Sequence, residues 1–427
     1  MNFDEALDYL YGLGHETAVI KFGLANTVRL LDALGRPQDA FDKVQVAGTN
    51  GKGSVCTFLE AICRAAGVRV GLNTSPHLVC VTERVRLDGR DIRREDFARL
   101  MRQLRAVAEQ LRAEDVRPTF FEHLTALALV AFREAGVDLA ILETGLGGRL
   151  DATTVAAAET VAITPVALDH TRILGDTLAE IAAEKAAIIR PGVCAVVAPQ
   201  THEALAVIRR RCAECGVAPL LVEERAEVTG VTADGCLRVT LTTPQDVYEN
   251  ATLALRGRHQ IVNALTAVYL AETLRERGFA IPRAAVIEGL ATARHAGRLD
   301  WRDRTLYDGA HNEAGARALR DYLREFVRAP VTLVFGAMRD KKLDEIAALL
   351  FPLAQKIVLT QPAQPRAAAP GDIAKVAPAE SQDRILQAAS VAEAVRLARE
   401  ITLPDGLILV TGSLYLVGEA MNLKSEI

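Results

Sequence analysis

Lysine 52 lies in the run Gly48-Thr49-Asn50-Gly51-Lys52-Gly53-Ser54, where residue types and spacing point most directly to chemistry. Backbone N–H groups of such a loop converge on an anion, and the N-terminus of a following helix adds partial positive charge. A lysine there supplies a point charge for the β and γ phosphates of a nucleotide. The common phosphate-loop pattern has Ser or Thr directly after Lys; here Gly53 intervenes, and Ser54 becomes the hydroxyl placed to ligate magnesium. Glycines alone would also make a ligand-free turn. The flanks argue for a cradle, because an apolar run at 44–47 precedes the loop and apolar residues at helical spacing follow over 55–66.

Other chemistry-bearing residues fall where apolar runs end. Glu143 closes the run 138–143 and is a candidate second ligand for a phosphate-bound magnesium, or else a helix cap or ion-pair partner. Asp169-His170 follows the run 160–166, and Asp308-Gly309-Ala310-His311-Asn312 follows 304–307. In an open α/β sheet, ligands sit beyond the carboxyl ends of the strands. Lys185 sits among alanines and isoleucines on a helix expected over 176–189, where a lysine is more often a snorkelling surface residue. Ser75 stands in the Thr74-Ser75-Pro76-His77 stretch, either a substrate loop or a plain turn. Asn263, in an apolar helix running to about 277, could bond a purine edge or cap a neighbouring loop, and Arg298 could reach a ligand or make an ion pair.

These residues need a parallel α/β scaffold. Short helices are expected at 3–12 and 22–35, strands at 68–73, 193–198 and 219–223, and helices at 95–113, 120–135 and 203–215. Two runs within 228–241 around Asp234-Gly235 suggest a hairpin, and 282–293 a helix. After Arg294 to Gly297 the alternation restarts, with strands at 304–307, 331–336, 355–360 and 406–411 and helices at 313–327, 343–350 and about 390–400. The 427 residues therefore divide into two expected domains, 1–295 and 296–427.

Composition limits the partners. Net charge is −4 with both signs interspersed, so no global field favours nucleic acid or an acidic membrane. No apolar run approaches the ~20 residues of a membrane-spanning helix. The seven cysteines are odd in number and mostly within apolar runs, with no secretory leader at the start, which favours a reducing cytoplasm. Cys212 and Cys215 have metal-ligand spacing but lack a second pair.

The motifs together resemble the Mur ligase superfamily, and within it the dihydrofolate synthase/folylpolyglutamate synthase group. The resemblance covers nearly the whole chain through AGTNGKGS, TSPHL, FFEHLTA, ETGLGGRLDAT, LDHTRILGDTLAEIAAEK, GRHQIVNA, GRLDW and YDGAHN. It implies a Mur-type phosphate-loop domain followed by a smaller Rossmann-like α/β domain. It also implies ATP-dependent addition of L-glutamate to a pteroate or folate carboxylate through an acyl phosphate. Thr49, Asn50, Gly51, Lys52, Gly53 and Ser54, with Asn263, Arg298, Asp308 and His311, would face ATP. Ser54 and Glu143 would hold one Mg2+, and Glu143, His170 and Lys185 a second, with Lys185 resembling the family's carbamylated lysine. Lys52, Lys185, His170 and Glu143 would be catalytic.

Ser75 would flank the reaction centre, and Phe121 and Asp151 match positions of the pteroate site. Thr154 and Ala187 depart from the family's usual Asn and Gly. A muramyl-peptide ligase would carry a whole domain before the phosphate loop, where this sequence has some forty residues. A regulatory nucleotide switch would have no need of the second motif or the extra metal ligands. A cytoplasmic monomer acting on small molecules, without nucleic acid or membrane partners, is expected.

Overall fold

The computed structural model describes residues 1–14 and 23–423. Helices α1 (Phe3–Gly12) and α2 (Ala25–Ala33) precede β1 (Asp42–Ala47) and α3 (Lys52–Ala65). Next come β2 (Val70–Asn73), β3 (Val85–Leu87), β4 (Arg90–Asp91), α4 (Arg94–Leu111), α5 (Phe120–Ala135) and β5 (Leu139–Glu143). β6 (Thr160–Ile163), α6 (Thr171–Leu174), α7 (Leu178–Ala186), β7 (Cys194–Val197), α8 (His202–Glu214) and β8 (Leu220–Leu221) complete the first sheet. Its order is β4-β3-β2-β5-β1-β6-β7-β8, parallel from β2 through β8.

β9 (Ala226–Val231), β10 (Leu237–Thr242) and β11 (Val247–Leu253) form an antiparallel sheet, and α9 (His259–Glu276) and α10 (Arg283–Thr292) follow. The rest comprises β12 (Asp300–Arg302), β13 (Thr305–Asp308), α11 (Glu313–Phe326), β14 (Val331–Phe335), α12 (Leu343–Leu350) and β15 (Lys356–Leu359). It ends with α13 (Pro370–Lys375), β16 (Ile385–Gln387), α14 (Val391–Ile401), β17 (Leu407–Thr411) and α15 (Leu414–Asn422). The sheet order there is β12-β13-β17-β14-β15-β16, with only β12 antiparallel to its neighbour.

Parallel strands covered on both faces read as apolar runs, and β1, β5, β14 and β17 are buried along nearly all their length. Helix starts are set by caps. Thr119 and Glu122 form a capping box at α5, Thr177 and Glu180 another at α7, and the Asn312 side chain accepts the Gly315 N–H at α11. The strands and helices expected from periodicity are present with ends moved by a few residues, while the hairpin β3–β4 and the elements α6, β11, β12, β16, α13 and α15 went unpredicted. One shift matters for function. α3 begins at Lys52 rather than Val55, because Gly51 at φ 89° makes the turn immediately before the lysine and leaves Ser54 in the first helical turn. α2 begins at Ala25; residue 22, the expected start, lies outside the described residues.

α3 is buried almost throughout, with α9 and α10 packed against it. α10 comes so close that a Cβ on Gly289 would sit 2.4 Å from the Ile62 backbone nitrogen and Cα. Neither atom is a flexible side-chain end, so one helix must move. Gly289→Ala is therefore expected to destabilise the protein by about 1–3 kcal/mol, outweighing the gain in helix propensity, as a fall in the urea midpoint at unchanged slope.

Candidate nucleotide and acyl-transfer site

A cavity of about 680 Å³ opens beyond the carboxyl ends of β1, β5 and β6 and is closed on the far side by the loop after β13 and the start of α11. Thr49 to Ser54, Ser75, Phe121, Glu143, Asp151, His170, Lys185, Asn263, Arg298, Asp308 and His311 all line it. The structure thus gathers the sequence candidates at one site from segments up to about 260 residues apart.

The glycine loop is held by its own neighbours. Thr49 and Asn50 donate their N–H groups to the Pro165 carbonyl at 3.1 and 3.3 Å, and Thr49 Oγ1 exchanges hydrogen bonds with the Ala167 backbone. The free N–H groups are those of the first turn of α3, which lack intrahelical partners. Space is as restrictive as conformation. A Cβ on Gly51 would lie 2.2 Å from Asn263 Oδ1, and one on Gly53 would lie 2.6 Å from His295 Cε1. The irregular Gly53 is therefore explained by packing: the His295 ring fills the place a serine side chain would take.

Two ammonium groups meet at one carbonyl. Lys52 Nζ donates to Gly48 O at 3.2 Å and Thr49 O at 3.3 Å, while Lys185 Nζ donates to Gly48 O at 2.8 Å. Lys185 is buried, not snorkelling, and burial followed by repulsion from Lys52 brings its pKa from the ordinary 10.5 to about 7. Glu143 Oε2 accepts the Ser75 N–H at 3.1 Å, and Oε1 looks toward Gly53. Burial raises its pKa, opposed by the charges of Lys52 and Arg298 and the Ser75 hydrogen bond. His170, left-handed at φ 51°, is pushed down to about 4 mainly by burial and is neutral.

Ser54 Oγ accepts a hydrogen bond from Gln260 Nε2 at 3.3 Å, and Asn263 Nδ2 donates to Gln260 Oε1 at 2.9 Å. Asn263 thus braces the cradle through Gln260, a residue missed in the sequence although it lies three positions away on the same helix face. Asp308 is tied to the Leu299 and Ala310 N–H groups, both at 2.9 Å; burial raises its pKa and the Arg298 charge opposes that. His311 Nδ1–H donates to Gly309 O at 2.8 Å, which leaves Nε2 facing the cavity side.

On the wall formed by the start of α5, the Phe121 ring packs over Gly145. Asp151 accepts from Leu146 N–H, Thr153 N–H and Thr153 Oγ1 at 2.6 to 3.0 Å, so its carboxylate is already spent on holding the 145–154 loop. Thr154 Oγ1 donates to Gly148 O and accepts from Gln45 Nε2. The threonine that departs from the family pattern is therefore a brace in the same loop. Asp169, noted in the sequence only as the neighbour of His170, also lines the cavity, as do Lys341 and His295, which the sequence did not single out because what they contact lies far along the chain. Cys212 and Cys215 are buried on α8 and its cap, away from the cavity.

Fit to a divalent cation can be judged from the donors. Among the described residues no three His, Cys, Asp or Glu side chains converge as a ready-made metal site. Glu143 is a buried carboxylate that accepts the Ser75 N–H and has neighbouring cations, His170 is a neutral imidazole, and Ser54 offers a hydroxyl. A second protein anion is what this donor set lacks. Lys185 lines the same cavity with its Nζ on the Gly48 carbonyl, and its pKa near 7 makes it an amine able to take up CO2.

No helix among the described residues is long and apolar enough to cross a membrane. Residues 46–271 match the Mur ligase middle domain and residues 297–414 the Mur ligase glutamate ligase domain. The chain is 36% identical to a Haloferax volcanii protein named probable bifunctional folylpolyglutamate synthase/dihydropteroate synthase, across 98% of this chain and 50% of that protein. It spans about half the length of that relative. It is 34% identical to the Bacillus subtilis dihydrofolate synthase/folylpolyglutamate synthase over 94% of both chains. The structure of Mycobacterium tuberculosis folylpolyglutamate synthase with ADP superposes with TM-score 0.91 at 31% identity, covering 100% of both chains. A bifunctional folylpolyglutamate synthase/dihydrofolate synthase with Mn, AMPPNP and L-glutamate bound superposes with TM-score 0.85 at 29% identity, covering 99% of this chain and 97% of that one. With its two α/β sheets and the cleft between them, this chain belongs to the Mur ligase family, in the folylpolyglutamate synthase/dihydrofolate synthase group.

Proposed function

We propose that the protein is an ATP-dependent carboxylate–amine ligase that joins L-glutamate to dihydropteroate, to tetrahydrofolate or to both, through an acyl phosphate. The observation that carries this reading is the pair of lysines on the Gly48 carbonyl, one in the nucleotide cradle and one with a pKa near 7, in a cavity that both sheets close. Residues 1–295 would supply the cradle and 296–427 the closing unit. The relatives' names and the nucleotide and glutamate in the related structures support the substrates. The reading includes a monomer in the cytoplasm with Mg2+ as the working metal.

In this reading the substrate carboxylate oxygen attacks the γ phosphorus of ATP, and the bond to the β–γ bridging oxygen breaks to leave ADP. The glutamate amine then attacks the acyl carbon, inorganic phosphate departs and the nitrogen loses a proton. Lys52 and the first-turn N–H groups of α3 stabilise charge that grows on the phosphoryl oxygens. Thr49 to Ser54 with Asn263, Arg298, Asp308 and His311 hold the nucleotide, and Ser75, Phe121 and Asp151 shape the pteroate side. Ser54 and Glu143 would hold one Mg2+, and Glu143, His170 and a carbamylated Lys185 another, supplying further charge neutralisation. Closure of the cleft shields the acyl phosphate from water.

Lys52→Ala is expected to lower glutamate incorporation at least about a hundredfold with either folate substrate. Radiolabelled glutamate transfer to dihydropteroate and to tetrahydrofolate, run separately, measures this, and near-normal turnover by the variant would contradict the site. CO2-depleted enzyme should recover activity with bicarbonate more readily above pH ~7, where the Lys185 amine is neutral, and Lys185→Ala should recover in part with a small carboxylate. Indifference to both additions would remove the carbamate from the mechanism. The same pKa has a stability consequence. Below about 7 Lys185 is protonated both folded and unfolded; between there and 10.5 only the unfolded chain carries the proton, so this group makes stability rise with pH across that window. Lys185→Met should flatten that part of the rise in urea unfolding carried out in CO2-free buffer.

A further inference from the structure

The loop after β6 brings Asp169 to the mouth of the cradle, where its carboxylate gathers partners from both sheets. Oδ1 accepts the His170 N–H at 2.8 Å and pairs with the Lys341 ammonium, whose side chain is, like that of Asp169, 9% exposed. Oδ2 accepts Asn312 Nδ2 at 3.2 Å and lies 3.5 Å from His311 Nε2. Asn312 Nδ2 is shared with Asn50 Oδ1 of the glycine loop at 3.1 Å. Lys341 follows β14, and His311 and Asn312 follow β13, so three side chains of the second sheet's loops converge on one carboxylate of the first.

Taking Asp169 and Lys341 out of water is costly, and an ion pair so buried adds little net stability against an apolar pair of like size. Arg258 and Glu325 bridge the same two sheets on the surface, with side chains 56% and 35% exposed, a pair that adds little. Asp169 therefore has a poor rationale as a stability element and a good one as a geometric one. It holds the second unit in one register while touching His170 and, through Asn312, Asn50.

We propose that Asp169 is a positioning residue, a clasp that seats Lys341, His311 and Asn312 against the glycine loop and thereby holds the cleft shut during the reaction. The proposal rests on the ligase reading for its kinetic consequence only. When the clasp is weakened, the acyl phosphate formed at Lys52 meets water as well as the glutamate amine, and phosphate is released without an amide.

The test compares Lys341→Met, Asn312→Ala and Asp169→Asn with the wild type, the first two leaving the His170 side chain and the cradle lysines themselves unchanged. Phosphate released per glutamate incorporated is expected to rise severalfold from near one in each variant, with kcat for amide formation falling more than KM for ATP changes. Asp169→Asn with Lys341→Met should cost about as much as either alone, the signature of one shared interaction. A ratio that stays near one in Lys341→Met and Asn312→Ala, or costs that add, overturns the clasp. If Asp169→Asn fails to fold by circular dichroism, the other two variants decide.

Should the wild type transfer no glutamate, the ligase reading fails and the clasp is judged by small-angle scattering. Compaction on adding AMPPNP in the wild type that is lost in Lys341→Met upholds it, and equal compaction in both overturns it.

Discussion

Two cations on one carbonyl oxygen are tolerable only if one gives up its charge or an anion arrives, and the Gly48 carbonyl, with Lys52 and Lys185 both donating to it, imposes that choice on the site. Each outcome is useful. In the proposed reading polyphosphate beside Lys52 would supply the anion, and loss of the Lys185 proton near pH 7 supplies the relief while leaving a nucleophilic amine in a buried pocket. Glu143 lines the same cavity with its carboxyl raised by burial, so Lys185 and Glu143 are each held in surroundings that disfavour their charge.

That balance depends on the order of the parallel strands. β1 lies between β5 and β6, so the loops after all three open on the same edge and carry, respectively, the cradle, Glu143, and Asp169 with His170. The second sheet turns its own carboxyl ends toward that edge, which is why the loop after β13 and the one after β14 reach the cavity. Two open sheets facing in this way enclose a site that neither could close alone, and the contacts between them nearest the glycine loop are polar.

Much of the site was legible because chemistry sat at strand ends: Lys52 and Ser54 within a glycine run, Glu143 at the close of an apolar stretch, and Asp308 at another. The reading of Lys185 from local pattern favoured the surface, and only the family resemblance drew it inward; its burial depends on Gly48, 137 residues away. Lys341 meets Asp169 across 172 positions and Gln260 meets Ser54 across 206, separations at which single-sequence periodicity carries no information. The short elements β4, β8 and β12 escaped or were overdrawn for a related reason. A two- or three-residue strand is defined by its partner's hydrogen bonds, not by a repeat of its own.

Gly53 joins these levels. In the sequence it is an irregularity inside a familiar loop, readable only as a displacement of the magnesium hydroxyl by one position. In the fold it is the point where the segment joining the two sheets touches the cradle, because the His295 ring lies where a side chain on residue 53 would have to go. His295 is neutral there, pushed down to about 3 chiefly by burial, and its Nδ1 has no hydrogen-bond partner, so the contact is one of shape and not of charge. A shape contact beside the glycine turn sets the connecting segment against the loop without adding a cation to a site that already holds two. The missing side chain at position 53 is therefore a requirement of the two-sheet architecture, and the serine one place later is where the phosphate chemistry could be kept.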